Sequence, residues 1–237
     1  MKYFAIVSIY ILTICSAQAS ESSVYDFSWL DSDKEVYVLQ NRKFRKVSRF
    51  YFGGQIGTQI NGAFVDSFQY QLHAGYFFTE NWGVEFGYLG ADGSTNDTHD
   101  AVNEQGSAVA FYRKIESEMR ALLVWSPFYA KINTFNKIFY YDWVFGLGVS
   151  SVTTQDNRNE FDIASTDSGT LTEETNTGLA WMTAFRFYIT EHWSSEIRFS
   201  ATHLNVDMVS EDAGGADSSD TRLVNYYNIN FGVNYTF

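Results

Sequence analysis

The feature that most limits how this chain can fold is an alternation of apolar and polar residues that recurs from Arg49 onward. In the first stretch Phe50, Phe52, Ile56, Thr58 and Ile60 fall on one side, and Tyr51, Gly53, Gln55, Gly57 and Gln59 on the other. Successive strand side chains point to opposite faces, so this period of two gives one apolar face and one small or polar face. The pattern returns at Phe68–Phe78, Trp82–Leu89, Phe139–Ser150, Leu179–Ile189, Trp193–Thr202 and Tyr227–Phe237, with a fourth strand expected near Ser117–Ser126. A soluble sandwich also alternates, but its polar face carries charge rather than glycine and glutamine. The expected fold is therefore all-β: an antiparallel up-and-down transmembrane β-barrel of about eight strands over residues 49–237.

Composition fits that reading. Aromatic residues are 18% of the chain, charged residues 19%, and there is a single proline, Pro127. After the N-terminus no run approaches the roughly 18 apolar residues a membrane helix needs, whereas a barrel strand needs only every second residue apolar. The connections alternate as well. They are short near Glu80, Tyr129 and Glu191, and long and polar over 90–116, 151–176 and 205–221. The link near Gly62 is short where a long one is due. Short periplasmic turns and long outer loops mark transmembrane barrels, and an even strand count puts both termini in the periplasm. Ala108, Phe111, Tyr112, Ile115, Met119 and Leu122 have helical spacing, which points to an irregular or helical outer loop. Phe78-Thr79-Glu80-Asn81-Trp82 recurs as Ile189-Thr190-Glu191-His192-Trp193, either as a trace of duplication or as reuse of common hairpin residues.

The start of the chain reads as an export signal. Lys2 precedes an apolar stretch, Tyr3–Cys15, and Ala17-Gln18-Ala19 is a cleavage site, so residues 1–19 are expected to be removed. A lipoprotein signal at Cys15 is the rival, but Ile14 is too large for the position before a lipidated cysteine. Residues 20–48 are expected to form a periplasmic N-terminal segment. Its basic cluster, Arg42, Lys43, Arg45, Lys46 and Arg49, reads as a solvated run or as a contact for anionic headgroups or cell-wall material. The net charge of −12 argues against nucleic acid as a partner.

With these residues in hand, the sequence resembles the small outer-membrane β-barrel domain family of Gram-negative bacteria. The resemblance is carried by Val36-Tyr37-Val38-Leu39-Gln40-Asn41-Arg42, Phe77-Phe78-Thr79-Glu80-Asn81-Trp82-Gly83 and Trp125-Ser126-Pro127-Phe128-Tyr129-Ala130-Lys131. The family usually has glycine where Ala130 stands. The resemblance implies a fold and an outer-membrane location, with lipid and lipopolysaccharide as surroundings, but no activity. Asn230, Gly232, Tyr235 and Phe237 fit the terminal pattern through which the barrel assembly machinery recognises such strands.

Three sets of residues bear on chemistry. Parity turns Glu85, Arg120, Asp142, Arg186, Glu196 and Arg198 inward, three acids and three bases. An eight-stranded barrel is just wide enough to be filled by side chains, so these groups are expected to pair as a plug; the alternative is a selectivity ring in a pore. Among His73, His99, His192 and His203 none has the hydroxyl and acid neighbours of a triad, and none has metal-ligand spacing. Acids in the outer loops, such as Asp156, Glu160, Glu173, Glu174, Asp207 and Asp220, read as solvated, with divalent ions bridging them to lipopolysaccharide. The expected role is structural or surface-interactive, without cofactor or metal. A narrow channel for small solutes is the alternative, and a lipid-modifying enzyme a third reading.

Overall fold

The computed structural model describes residues 42–104, 110–134, 137–158, 170–208 and 220–237. The export signal and most of the N-terminal segment lie outside them. Eight strands follow in order: β1 Arg49–Gln59, β2 Val65–Phe77, β3 Trp82–Thr95, β4 Arg113–Thr134, β5 Lys137–Asp156, β6 Thr172–Tyr188, β7 Trp193–Met208 and β8 Asp220–Thr236. Each pairs antiparallel with the next, and β8 pairs with β1, closing the ring. A short helix, α1 Asp97–Glu104, lies between β3 and β4. The start of β1 and the end of β8 share one pole, here the terminal pole; the opposite end is the far pole.

The alternation produces a barrel that is apolar outside and polar inside. Phe86 is 65% exposed, Leu147 57% and Phe231 50%, while Gln69, Gln71, Asn228, Asn230, Arg186 and Arg198 are buried. A water-soluble barrel has the opposite arrangement, because apolar surface is driven out of water.

Strand ends differ from the sequence expectation for reasons the ladder makes plain. β4 runs to Thr134 rather than ending near Ser126, and its register shifts between Trp125 and Phe128. Pro127 sits in that shift, where its missing N–H costs the ladder nothing. The turn expected near Tyr129 is therefore a bulge, and Thr134 pairs with Lys137 at the tip of a longer hairpin. This hairpin outruns its neighbours, since β3 leaves β4 at Trp125 and β6 leaves β5 at Tyr140. At the far pole the strands also extend, to Thr95, Asp156 and Met208, which shortens the expected loops. The helix lies at Asp97–Glu104, not over the helically spaced residues. Asn96 caps it, Oδ1 accepting from the Thr98 and His99 amides, both at 3.1 Å. Ile115, Met119 and Leu122 belong to β4, where a register shift between Ile115 and Ser117 breaks the period of two. Ala108 lies outside the described residues.

The repeated turn sequence folds the same way twice. Thr79 Oγ1 accepts from the Asn81 and Trp82 amides at 3.3 and 2.9 Å, and Thr190 Oγ1 from the His192 and Trp193 amides at 3.3 and 3.0 Å. At the β8–β1 seam the backbones approach too closely for side chains. A Cβ on Gly57 would lie 2.1 Å from the Ile229 carbonyl oxygen, and one on Gly232 2.1 Å from that of Gly54.

Candidate functional site

The lumen is where unusual chemistry is concentrated. Four of the six inward charges form one network. Arg198 on β7 reaches Glu85 on β3 with both terminal nitrogens, at 2.7 and 3.0 Å. The same guanidinium donates through Nε to Glu196 at 2.9 Å, and Arg186 Nε donates to the other Glu196 oxygen at 2.8 Å. Neutral groups fill the remaining valences: Tyr51 Oη donates to Glu85 at 2.7 Å, Gln55 Nε2 to Glu196 at 2.9 Å and Asn234 Nδ2 to Glu196 at 2.8 Å. The Arg186 guanidinium also lies over the Tyr51 ring, 4.5 Å from its centre. Two acids and two bases, all at most 2% exposed, thus balance inside the wall.

The other two inward charges pair elsewhere. Arg120 Nη2 lies 2.6 Å from Glu118, whose second oxygen accepts from Thr202 at 2.7 Å. Asp142 accepts from Lys46 Nζ at 2.5 Å and from Tyr188 Oη at 2.6 Å. Glu118 and Lys46 are functional partners that the sequence reading missed. Glu118 stands two residues from Arg120 on the same face of β4, so its inward parity was countable. Lys46 looked like one more residue of a solvated run, yet it is 3% exposed.

Lys46 belongs to a peptide that packs against the strands at the terminal mouth. Its ammonium also donates to Ser126 Oγ at 2.6 Å. Phe44 stacks on Tyr188 with ring centres 4.6 Å apart and meets Tyr140 edge-on at 5.4 Å. Glu80 accepts from the Lys46 amide at 3.2 Å and lies 3.5 Å from Arg42. Ser48 then takes a left-handed conformation, φ 56°, that swings the chain from the mouth into β1. Burial lowers the Lys46 pKa, and the Asp142 carboxylate opposes that shift. Arg45 and Lys43 remain exposed.

Apolar layers separate the charged ones. Phe77, Leu122, Val124, Val144, Met182 and Ala184 pack near Tyr51. Leu89, Ile115, Val152, Leu204, Val206 and Tyr226 form a second cluster, formed by residues near the far-pole ends of their strands. A further ion cluster marks the far end. Asp156, expected in a solvated loop, is buried and accepts from Arg113 at 3.0 and 2.8 Å and from Arg158 at 2.8 and 2.7 Å. Glu174 also contacts both arginines. Glu160 lies outside the described residues.

The terminal pattern divides by face. Asn230 is buried in the lumen and Gly232 lies at the seam, while Tyr235 packs against His192 and Trp193 and Phe237 is 67% exposed outside. The Phe237 amide donates to the Phe50 carbonyl at 3.0 Å. Among the described residues no histidine ring bonds a hydroxyl: His73 lies 2.7 Å from Asn234 Oδ1, and His203 sits between Trp181 and Asn225. Also among the described residues, no group of three His, Cys, Asp or Glu is placed to hold a metal.

Residues 38–237 match the family model of the outer membrane protein beta-barrel domain. By sequence, no curated protein matches the chain. Among solved structures, it is similar to Neisserial surface protein A at 11% identity and a TM-score of 0.48, covering 80% of this chain and 97% of that one. It is also similar to the N-terminal β-barrel domain of Pseudomonas aeruginosa OprF, at 9% identity and a TM-score of 0.46, covering 81% and 98%. OprG from Pseudomonas aeruginosa matches at 16% identity and a TM-score of 0.45, covering 82% and 98%.

Proposed function

The chain belongs to the outer membrane protein β-barrel family and resides in the cell outer membrane, and from that premise we propose that it is a non-conducting, non-enzymatic barrel acting as a structural or surface-interacting element. The observation that carries this reading is the Arg186–Glu196–Arg198–Glu85 network, which joins opposite walls with side chains almost wholly removed from solvent. A water-filled pore would leave such groups hydrated and spaced along its wall. Here they share protons and oxygens, and the Lys46–Asp142 pair closes the terminal mouth below them. On this reading the terminal pole is periplasmic and the far pole faces outward. Phospholipid and lipopolysaccharide cover the apolar wall, and the barrel assembly machinery reads the outward Tyr235 and Phe237.

Planar-bilayer recording tests the proposal. The expected result is no steady conductance from the wild type, whereas Arg198→Ala opens brief events or unfolds more easily. Steady wild-type current whose ion selectivity changes in Arg198→Ala, with stability unaffected, would replace this reading with a narrow channel for small solutes.

A further inference from the structure

A cavity of about 190 Å³ opens at the far pole, lined among others by Gln59, Phe64, Phe111, Tyr112, Asn225 and Tyr226. It exists because the β1–β2 connection is short, so the rim is low between β8 and β2 while neighbouring strands rise past it. Three asparagines fix its irregular walls. Asn61 donates to the Asn225 carbonyl at 2.7 Å and accepts from the Tyr227 amide at 3.0 Å, tying the short loop to β8. The Asn96 amide donates to the Phe64 carbonyl at 3.1 Å, tying the same loop to the cap of α1. Asn157, buried, donates to the Ala110 carbonyl and accepts from the Tyr112 amide, both at 3.0 Å, which holds the segment carrying Phe111. A surface hollow whose backbone is fixed in this way costs little ordering when it is filled.

We propose that this hollow is a binding site for one neutral pyranose unit of a saccharide. At ~30 Å³ per water it has room for about six waters, close to the volume of a sugar ring. Its lining joins aromatic side chains, against which the C–H face of a pyranose packs, to the Gln59 carboxamide and the Asn225 Nδ2 group, which can bond sugar hydroxyls. Arg113, which lines the hollow, is already paired with Asp156 and Glu174, and Arg158 pairs with the same two acids, which favours an uncharged ligand over an ion. Tyr226 in the lining is buried, and its hydroxyl interacts with the Arg113 guanidinium. The inference rests on the far pole facing outward; it does not depend on whether the lumen conducts, so either reading can fail alone.

The test uses the whole protein refolded in phosphocholine micelles, which carry no sugar headgroups. Saturation-transfer NMR is recorded with two probes at millimolar concentration: delipidated lipopolysaccharide core oligosaccharide, and maltotriose. The expected result is transfer to ring protons that falls at least fivefold in Tyr112→Ala while the heat-modifiable gel shift persists. Transfer to the core oligosaccharide alone identifies the cell's own lipopolysaccharide as the source; transfer to maltotriose identifies free glycans. If Tyr112→Ala does not fold, Gln59→Ala supplies the same comparison. No transfer to either saccharide, or equal transfer in wild type and folded variant, overturns the proposal.

Discussion

Arg198 and Glu85 grip each other across the full width of the barrel. β7 and β3 are four strands apart in either direction round the ring of eight, so the two contacts of 2.7 and 3.0 Å span the lumen rather than follow its wall. Removing one partner strands a buried charge, at a cost of about 3–5 kcal/mol. Arg198→Ala should therefore lower the urea midpoint followed by tryptophan fluorescence, and Glu85→Gln should do the same. Arg198→Met with Glu85→Gln should recover part of the loss, because the pair is then removed together. A midpoint within error of wild type in Arg198→Ala would show that water reaches these groups.

The cap at the terminal mouth makes a separate prediction. Lys46→Ala leaves the Asp142 carboxylate with the Tyr188 hydroxyl as its donor among the described residues. Trypsin should then cut after Lys43 or Arg45 at least tenfold faster in the folded barrel. Unchanged cleavage would mean that Phe44 and Glu80 hold the peptide without the ammonium.

The titration of Lys46 has a definite sign. Its folded pKa lies below the ordinary 10.5, so the unfolded chain binds more protons between those two values. The cost of keeping the charge is present in full below the folded pKa and is relieved as pH rises towards 10.5. The unfolding free energy of wild type minus that of Lys46→Met should therefore increase as pH rises through the folded pKa towards 10.5. A difference that falls with pH would contradict burial of this ammonium.

Loop replacement should separate two neighbouring regions. Exchanging residues 159–169, which connect β5 to β6, for a short Gly/Ser turn should leave the barrel folded, since connections between strands tolerate changes in length. Asp156→Ala should cost several kcal/mol, because Arg113 loses a buried partner. Gel mobility before and after heating reports both.

Deleting Phe237 should lower the outer-membrane level and increase periplasmic degradation. The deletion removes the amide that bonds Phe50 and an apolar ring offered to the outside. Equal amounts of folded protein in isolated outer membranes would deny the terminal residue a part in assembly.

Much of this architecture is legible in the chain because one period governs it. Glu85, Asp142, Arg186, Glu196 and Arg198 could be placed inward by counting from neighbouring aromatics. Glu118 shares the parity of Arg120 on the unbroken run from Ser117, so the same count reaches it as well. Pro127 looked like a turn because a bulge and a turn ask for the same residue. Asp156 looked like loop because the strands above the membrane carry polar residues on both faces, and alternation then fades from the sequence while the ladder continues. Lys46 had no pattern to reveal it; only the mouth it fills explains its burial. The lumen partners found in sequence were residues on regular strands, whereas Lys46 and Asp156 stand where an entering peptide or a strand extension supplies the contact.

The entering peptide also sets an order in time. Lys46 and Asp142 are 96 residues apart, and the cap further needs Tyr188 on β6. Neighbouring hairpins close small loops and can form early, whereas this contact must await a chain organised through β6. The latch is therefore a late event, and trypsin sensitivity at Arg45 during refolding becomes a clock for completion of the ring.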